Sequence, residues 1–453
     1  MSDTLMISVS GMRGIVGKDL TPELVARHAA ALGSWVRGHG GTHVVLGRDA
    51  RTSGAMFAHA ATAGFQSVGV HVIDVGVVPT PTVQMAVEHH RAGAGLIITA
   101  SHNPVEWNAL KFVGPDGIFL DAGAGAAVRR MADAGPPRAA WDGIGTTSRD
   151  EAAIARHLDA ILALPEVDAD AIRAREFHVA LDCVRGAGGP AMLALFDRLG
   201  VRVSGINLEP DGRFPREPEP IPENLGALGE LVQQSGADIG MAVDPDVDRL
   251  ALVDETGHPI GEDYTLAIAV RAVLARAKTD PQPMVVANLS TSLVVADAVR
   301  DCGGRLVRAP VGEANVARAI VAEKAIIGGE GNGGVILPAL HVGRDAPLGA
   351  ALILQYLAVT GRRLSEVVGA SPGYVIMKAK APRGGDLKAQ YRRLDSMFPD
   401  AERDVHDGLR LGWPDRWLHV RPSGTEPIVR LIAEAPTLVE AEALIARARE
   451  AGK

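Results

Sequence analysis

The sequence predicts an α/β protein, with three related mixed-sheet α/β domains around a cleft and a smaller C-terminal α+β domain. Three observations predict it. Apolar, strand-like runs alternating with helix-length stretches recur as a unit three times before residue 370. In each copy the third run ends in a loop of unusual polar or glycine-rich composition. Beyond residue 370 the runs become short and closely spaced, and a single helix-length stretch follows them.

The first copy comprises THVVLGRDAR (42–51), VGVHVIDVGVVPTPT (68–82) and GLIITASHNP (95–104). The second runs from FHVALDCVRGAGG (177–189) through VRVSGINLEPDGRFP (201–215) to ADIGMAVDPDVDRLALVD (237–254). The third comprises PMVVANLSTS (283–292), GRLVRAPVG (304–312) and AIIGGEGNGGVILP (325–338). Short apolar, β-branched runs of this kind are the mark of buried, largely parallel strands. Ligands of such sheets gather at the carboxyl ends of the strands. The three terminal loops, Ser-His-Asn-Pro, Asp-Pro-Asp-Val-Asp-Arg and Glu-Gly-Asn-Gly-Gly, would then face one composite site. On pattern alone, a chance likeness between unrelated α/β segments remains the competing explanation. In the C-terminal part GYVIMKAKA, GLRLGW, WLHVRPSG and PIVRLIAEA read as strands, and Leu438 to Ala451 as a helix. Pro and Gly cluster in DAGPPRAAWDG (133–143) and GASPG (369–373), where linkers are expected.

Composition narrows the function classes. Of 453 residues, 47% are hydrophobic and 22% charged, the balance of a globular chain. No apolar run reaches the roughly 18 residues of a membrane span, so no membrane partner is expected. The start, Met1-Ser2-Asp3-Thr4, lacks the basic and apolar stretches of a secretory signal. Two cysteines, Cys183 and Cys302, are too few for a disulfide framework, which points to a reducing, cytoplasmic location. The net charge of −8 argues against a nucleic-acid partner. An anionic substrate would therefore need its arginines and lysines gathered locally.

Four loops and one N-terminal stretch carry candidate chemistry. In DPDVDRL, Asp244, Asp246 and Asp248 alternate, so an extended backbone would point them the same way. Two charges ~4 Å apart repel by about 4 kcal/mol at a protein-surface dielectric, and a hard divalent cation removes that cost. An EF-hand is a rival reading, since Glu255 falls at loop position twelve, but Arg249 occupies the position that needs glycine. A solvated acidic turn is another. Ser101, in TASHNP, has no Gly-x-Ser-x-Gly elbow around it. It reads as a phosphate carrier or as a capping serine. His102 is adjacent, and Lys111 follows one strand later, where it could act as acid or base on a sugar hydroxyl. In RPSGTEPIVR, Arg421, Ser423, Gly424, Thr425 and Arg430 gather donors suited to a phosphate. In GEGNGGVI, Glu330 and Asn332 offer an acceptor and an amide for sugar hydroxyls. Arg13 stands between glycines in SGMRGIVG, an anion-facing position.

Arg13-Gly14, TASHNP, DPDVDR, the Glu-containing glycine loop and RPSGTEP together make the chain resemble the α-D-phosphohexomutase superfamily over essentially its whole length. The resemblance implies four domains, 1–145, 146–255, 256–369 and 370–453, the last of the TATA-box-binding-protein-like type. It implies that Ser101 becomes a phosphoserine and that Asp244, Asp246, Asp248 and a phosphate oxygen on Ser101 ligate Mg²⁺. Arg13 and Arg249 would then neutralise the transferring phosphoryl group, with His102 and Lys111 assisting proton transfer. Glu330 and Asn332 would hold the sugar, and the 421–430 loop its resting phosphate. The implied reaction interconverts hexose 6-phosphate and hexose 1-phosphate through a hexose 1,6-bisphosphate, which also serves as activator, in a monomer or homodimer.

The chain departs from the family pattern in two places. Many members read Glu-x-Ser-Gly-His in the sugar loop, where this chain has Glu330-Gly331-Asn332-Gly333-Gly334. Many also carry a basic residue near Ala314 and Asn315. The variant resembles a subset labelled phosphoglucosamine mutases, with phosphomannomutase/phosphoglucomutase the alternative. An inactive sugar-phosphate-binding member and a phosphatase are the rivals from other classes.

Overall fold

The computed structural model describes residues 5–8, 11–383, 386–423 and 428–452. Among the described residues, twenty strands form four sheets. The first sheet takes β1 (Met6–Ser8), β2 (Gly11–Ile15), β3 (His43–Arg48), β4 (His71–Val77), β5 (Ala94–Ile98), β6 (Trp107–Val113) and β7 (Thr147–Arg149). The second takes β8 (His178–Asp182), β9 (Arg202–Ile206), β10 (Ile239–Val243) and β11 (Leu250–Val253). The third takes β12 (Met284–Asn288), β13 (Arg305–Ala309), β14 (Ile327–Glu330) and β15 (Gly334–Ile336). The fourth takes β16 (Val375–Pro382), β17 (Glu402–Asp404), β18 (Leu409–Gly412), β19 (Trp417–Pro422) and β20 (Ile428–Ala435).

The threefold repeat is a repeat of topology. The orders β6-β5-β3-β4, β11-β10-β8-β9 and β15-β14-β12-β13 are the same arrangement. In each, three parallel strands carry one antiparallel strand beside the third, joined to it by the loop that the sequence marks as unusual. The sheets are therefore mixed, as expected. The strands are continuous apolar runs because helices cover both faces: every residue of β5, β8 and β10 is buried. β7 lies past residue 145 and still pairs with β4 of the first sheet. The second and third sheets share one apolar core, into which Asp263–Leu274 and Ala346–Thr360 pack, whereas the first and fourth have cores of their own. Among the described residues no helix is long and apolar enough to cross a membrane.

The fourth sheet is antiparallel, ordered β16-β20-β19-β18-β17, and the helix Leu438–Ala451 packs on it as read. A second helix, Leu387–Met397, was not anticipated, since its buried positions are only Gln390 and Leu394. This domain meets the third sheet through polar groups. Glu434 accepts hydrogen bonds from Ser292 Oγ, Leu293 N (2.8 Å) and Trp417 Nε1, and so caps the helix Leu293–Asp301. His419 lies fully buried beside it, with Nε2 2.6 Å from the Asp407 carbonyl and Nδ1 2.8 Å from Ser290 Oγ. A carbonyl only accepts, so Nε2 carries the proton and Ser290 donates to Nδ1, which leaves the ring neutral.

Burial pushes the His419 imidazole down to about 4, with the nearby Arg421 and Arg410 acting in the same direction against Asp407. An unfolded histidine takes its proton near 6.5, and the folded one does not until about 4. Stability from this group is thus present above about pH 6.5 and lost as pH falls toward 4, by up to roughly 3 kcal/mol. Urea unfolding of His419→Gln should show a shallower loss across that window than the parent. Parallel curves would refute the assignment.

Candidate active site

Ser101 follows β5 in a loop built around one buried arginine. Arg51 donates from Nη2 to the carbonyls of Ser101 (2.7 Å) and Asn103 (2.6 Å), and from Nη1 to those of Pro104 (2.6 Å) and Trp107 (2.9 Å). Its Nε meets Asp49 Oδ2 at 3.1 Å. Thr99 Oγ1 donates to the same carboxylate at 2.6 Å and accepts from Ser101 N at 2.9 Å. This web holds Ser101 at a φ of 50°, a left-handed conformation that non-glycine residues adopt only when over-determined. Sequence reading passed over Arg51; the signal was a pair of charges, Asp49 and Arg51, directly after an apolar strand.

The serine hydroxyl donates to Asp244 Oδ2 at 2.9 Å, across 143 residues of sequence. Asp244, Asp246 and Asp248 are fully buried, and their ligating atoms lie within 4.8 Å of one another. They converge through a turn and not through strand alternation: Val247 N bonds the Asp244 carbonyl at 3.1 Å, with Val247 at a φ of 63°. The EF-hand reading fails here, because β11 follows at once and Glu255 instead accepts from Ser365 N and Oγ. Two buried oxygens, Asp246 Oδ1 and Asp248 Oδ1, have no hydrogen-bond partner among the described residues. A cluster of acceptors with lone pairs left over suits a hard divalent cation. Among the described residues one other cluster could hold a metal, His157, His341 and Asp345, and it is closed by hydrogen bonds of 2.7 and 3.0 Å to Asp345 Oδ2.

Cations surround the triad. Lys111, on β6, meets Asp246 Oδ2 at 2.7 Å and Asp248 Oδ2 at 3.9 Å, and Thr80 Oγ1 donates to Asp246 Oδ2 at 2.7 Å. Burial, followed by Asp248 and Asp246, pushes Asp244 well above the usual carboxylate range. Burial acts on Asp246 in the same sense, but the Lys111 charge and hydrogen bond outweigh it and hold Asp246 well below that range. Lys111 is itself raised, since its carboxylates outweigh its burial. Arg249, then burial, then Arg13 hold His102 well below an ordinary histidine, so its ring stays neutral, with Nδ1 3.4 Å from Ser101 Oγ. Arg13, on β2, donates from Nη1 to Asn103 Oδ1.

The remaining loops face the same cleft. A cavity of about 380 Å³ is lined by Arg13, Ser101, His102, Lys111, Arg249 and Arg344, with Ala314 and Asn315 also on its wall. An adjoining one of about 540 Å³ carries Glu330 and Asn332 on one side and Lys378, Lys380, Arg421 and Arg430 on another. Arg421 and Arg430 are cross-strand partners on β19 and β20, and Arg421 Nε meets Asp407 Oδ2 at 2.8 Å. Ser423 is buried, and its N bonds the Ile428 carbonyl at 2.9 Å; Gly424 and Thr425 lie outside the described residues. Asn332 Oδ1 accepts from Gly334 N at 3.3 Å. Gly333, at a φ of 85°, lets the loop touch β11, since a Cβ there would lie 2.3 Å from the Leu250 carbonyl oxygen. Sequence reading did not single out Thr80, Glu313, Arg344 or the two lysines of β16.

Four domain patterns of phosphoglucomutase/phosphomannomutase match the chain in order: alpha/beta/alpha domain I at 5–136, domain II at 155–257, domain III at 261–374 and the C-terminal domain at 376–451. The chain belongs to this family. It is a phosphohexomutase, an isomerase that acts as an intramolecular phosphotransferase. A phosphoglucomutase/phosphomannomutase of Thermococcus kodakarensis is 38% identical over 94% of this chain and 93% of its own. A probable phosphoglucosamine mutase of Methanopyrus kandleri is also 38% identical, with the same two coverages. A crystal structure of a phosphoglucomutase/phosphomannomutase family protein from Burkholderia thailandensis superposes with a TM-score of 0.87 at 28% identity, covering 98% of this chain and 97% of that one.

Replacing Arg51 by Leu would take one donor from each of four carbonyls and leave the buried Asp49 without its cation. In this phosphohexomutase the change should cost about 3–5 kcal/mol of stability in urea unfolding, the range for a broken buried ion pair. A loss below about 1 kcal/mol would show that the serine loop does not depend on it.

Proposed function

We propose that this phosphohexomutase acts on aminohexose phosphates, interconverting glucosamine 6-phosphate and glucosamine 1-phosphate, with the mannose and glucose phosphates as the alternative substrates. The observation that carries the mechanism is the Ser101 hydroxyl 2.9 Å from Asp244 Oδ2, beside two more buried aspartates, in a cleft shared with Glu330 and the β19–β20 arginines. In this reading phospho-Ser101 gives its phosphoryl group to the free hydroxyl of the hexose phosphate. The P–O bond to Ser101 breaks as the bond to the sugar oxygen forms, and the hydroxyl proton passes to the site's bases. The bisphosphate then turns round and returns its other phosphate to Ser101.

Asp244, Asp246, Asp248 and the Ser101 phosphate would hold Mg²⁺, and the two carboxylate oxygens without a hydrogen bond among the described residues fit it. When bound, the ion would neutralise charge on the phosphoryl group. The chain's own residues do the rest. Arg13 and Arg249 neutralise the phosphoryl oxygens; His102 and Lys111 assist proton transfer, the neutral imidazole as acceptor and the ammonium as donor. Glu330 and Asn332 hold the sugar hydroxyls. Arg421, Ser423 and Arg430, with Gly424 and Thr425, grip whichever phosphate is resting, since they bind the group and not the sugar. The acceptors Glu219, Asp263 and Glu330 in the same cleft support an ammonium-bearing sugar. Burial pushes Asp263 up to about 8, and a cation beside it would relieve that cost. A cytoplasmic chain of four units, 1–145, 146–255, 256–369 and 370–453, acting as a monomer or homodimer, completes the proposal.

Parallel assays with Mg²⁺ on glucosamine, mannose, glucose and N-acetylglucosamine phosphates test the sugar. The highest kcat/KM should fall on glucosamine, and a mannose or glucose preference would replace that assignment. Ser101→Ala should lose turnover and the mass of one phosphate while unfolding as the parent does; full activity would end the carrier role. Free phosphate released as fast as isomer would instead mark a phosphatase. Arg421→Ala should raise KM alike for every sugar phosphate, and a rise confined to one sugar would contradict a phosphate-gripping role.

A further inference from the structure

The sugar loop departs from the family pattern at Gly334, and the structure shows what occupies the space. Gly334 opens β15 and is the cross-strand partner of Glu330 on β14. A Cβ at 334 would lie 2.2 Å from Arg344 Cδ and 2.8 Å from its Cγ. Real Cβ atoms do not approach so closely, and the neighbour is the middle of a side chain whose far end is tied down. The stem of Arg344 therefore runs through the volume that any side chain at 334 would take.

Arg344 is 7% exposed, and its guanidinium touches three acids, from the end of β14, the aspartate turn and the start of the helix Glu313–Glu323. Its Nη1 meets Glu330 Oε2 at 2.6 Å, its Nη2 meets Asp248 Oδ2, and its Nε lies 3.2 Å from Glu313 Oε2. The Arg344 backbone N also donates to Glu313 Oε1 at 3.2 Å. Glu330 Oε1 is already taken by Asn288 Nδ2 at 2.8 Å and Gly312 N at 2.9 Å. The direction of Oε2, the oxygen with a lone pair left over, is thus set by Arg344 alone among the described residues. A lysine could not do this: it is a point charge without the planar fork that engages separate carboxylates.

We propose that Gly334 and Arg344 form one positioning pair, in which the missing side chain admits the arginine that aims Glu330 at the sugar hydroxyls and so sets sugar discrimination. The pair rests on the reading of Glu330 as a sugar-binding group. Because Arg344 also meets Asp248, it joins the sugar loop to the aspartate loop, and Glu330 is held in register with the phosphoryl-transfer site.

The test compares Gly334→Ala, Arg344→Lys, Arg344→Ala, the Gly334→Ala/Arg344→Ala double variant and Glu330→Gln. Calorimetric binding of glucosamine 6-phosphate and mannose 6-phosphate is measured beside KM, kcat and urea stability. Gly334→Ala, which deletes no charge, should weaken binding and raise KM about ten-fold with kcat within a few-fold, and narrow the preference between the two sugars. Arg344→Lys should give the same pattern. The double variant should lose less than the sum of its singles, because removing the stem removes the clash. Additive losses, or a fall in stability with binding and discrimination intact, would overturn the pair. If Arg344→Ala does not fold, Gly334→Ala and Arg344→Lys decide alone. Glu330→Gln that binds both sugars as the parent does would overturn the reading of Glu330. Glu330→Gln that weakens binding, with Gly334→Ala silent, would overturn the positioning pair only.

Discussion

The structure depends on how it holds three buried carboxylates together. Asp244, Asp246 and Asp248 sit in one turn, out of water, where mutual repulsion would drive protons on or push the turn apart. The chain meets this with charges brought from elsewhere: Lys111 from the first sheet, Arg344 from ahead of a helix in the third unit, and a hydroxyl from Thr80. Lys111 and Thr80 come from the first unit and Arg344 from the third, so the triad also works as a clasp between units. Among the described residues two of their oxygens stay without a hydrogen bond, and Asp244 stays high, as a turn suited to a further cation would.

The threefold topology explains why such a clasp can form. In each unit the third parallel strand turns directly into an antiparallel neighbour, and the connecting loop projects from the carboxyl end of the sheet. Three copies of that loop, one bearing a hydroxyl, one three aspartates and one a glutamate, then need only be turned toward each other. The fourth domain contributes the β19–β20 arginines and is fastened to the third unit by Glu434 and His419, buried groups with complete hydrogen bonding. That attachment sets the β19–β20 arginines on the cleft that Glu330 and Asn332 also line.

Much of this was legible in the sequence, and the reasons are local. Strands such as GLIIT and GMAV announce themselves because burial on both faces forces unbroken apolar runs. The serine and aspartate loops stand out because polar clusters interrupt those runs. The turn at Val247 was misread as extended, since alternation of Asp residues fits either backbone and only the left-handed φ distinguishes them. Arg51 and Arg344 were passed over for a different reason. Each acts through carbonyls or carboxylates far along the chain, Arg344 through Asp248 at a separation of 96 residues, and a lone arginine in a loop carries no sign of that. Gly334 looked like a loss until the packing showed the arginine stem beside it.

The central claim is that one hydroxyl and three acids enclose a single cation. Anomalous diffraction from crystals of the phosphorylated enzyme soaked in Mn²⁺ addresses it directly. The account predicts one strong peak within about 2.0–2.5 Å of oxygens from Asp244, Asp246, Asp248 and the Ser101 phosphate. A peak among His157, His341 and Asp345 with none at the aspartate turn would contradict it.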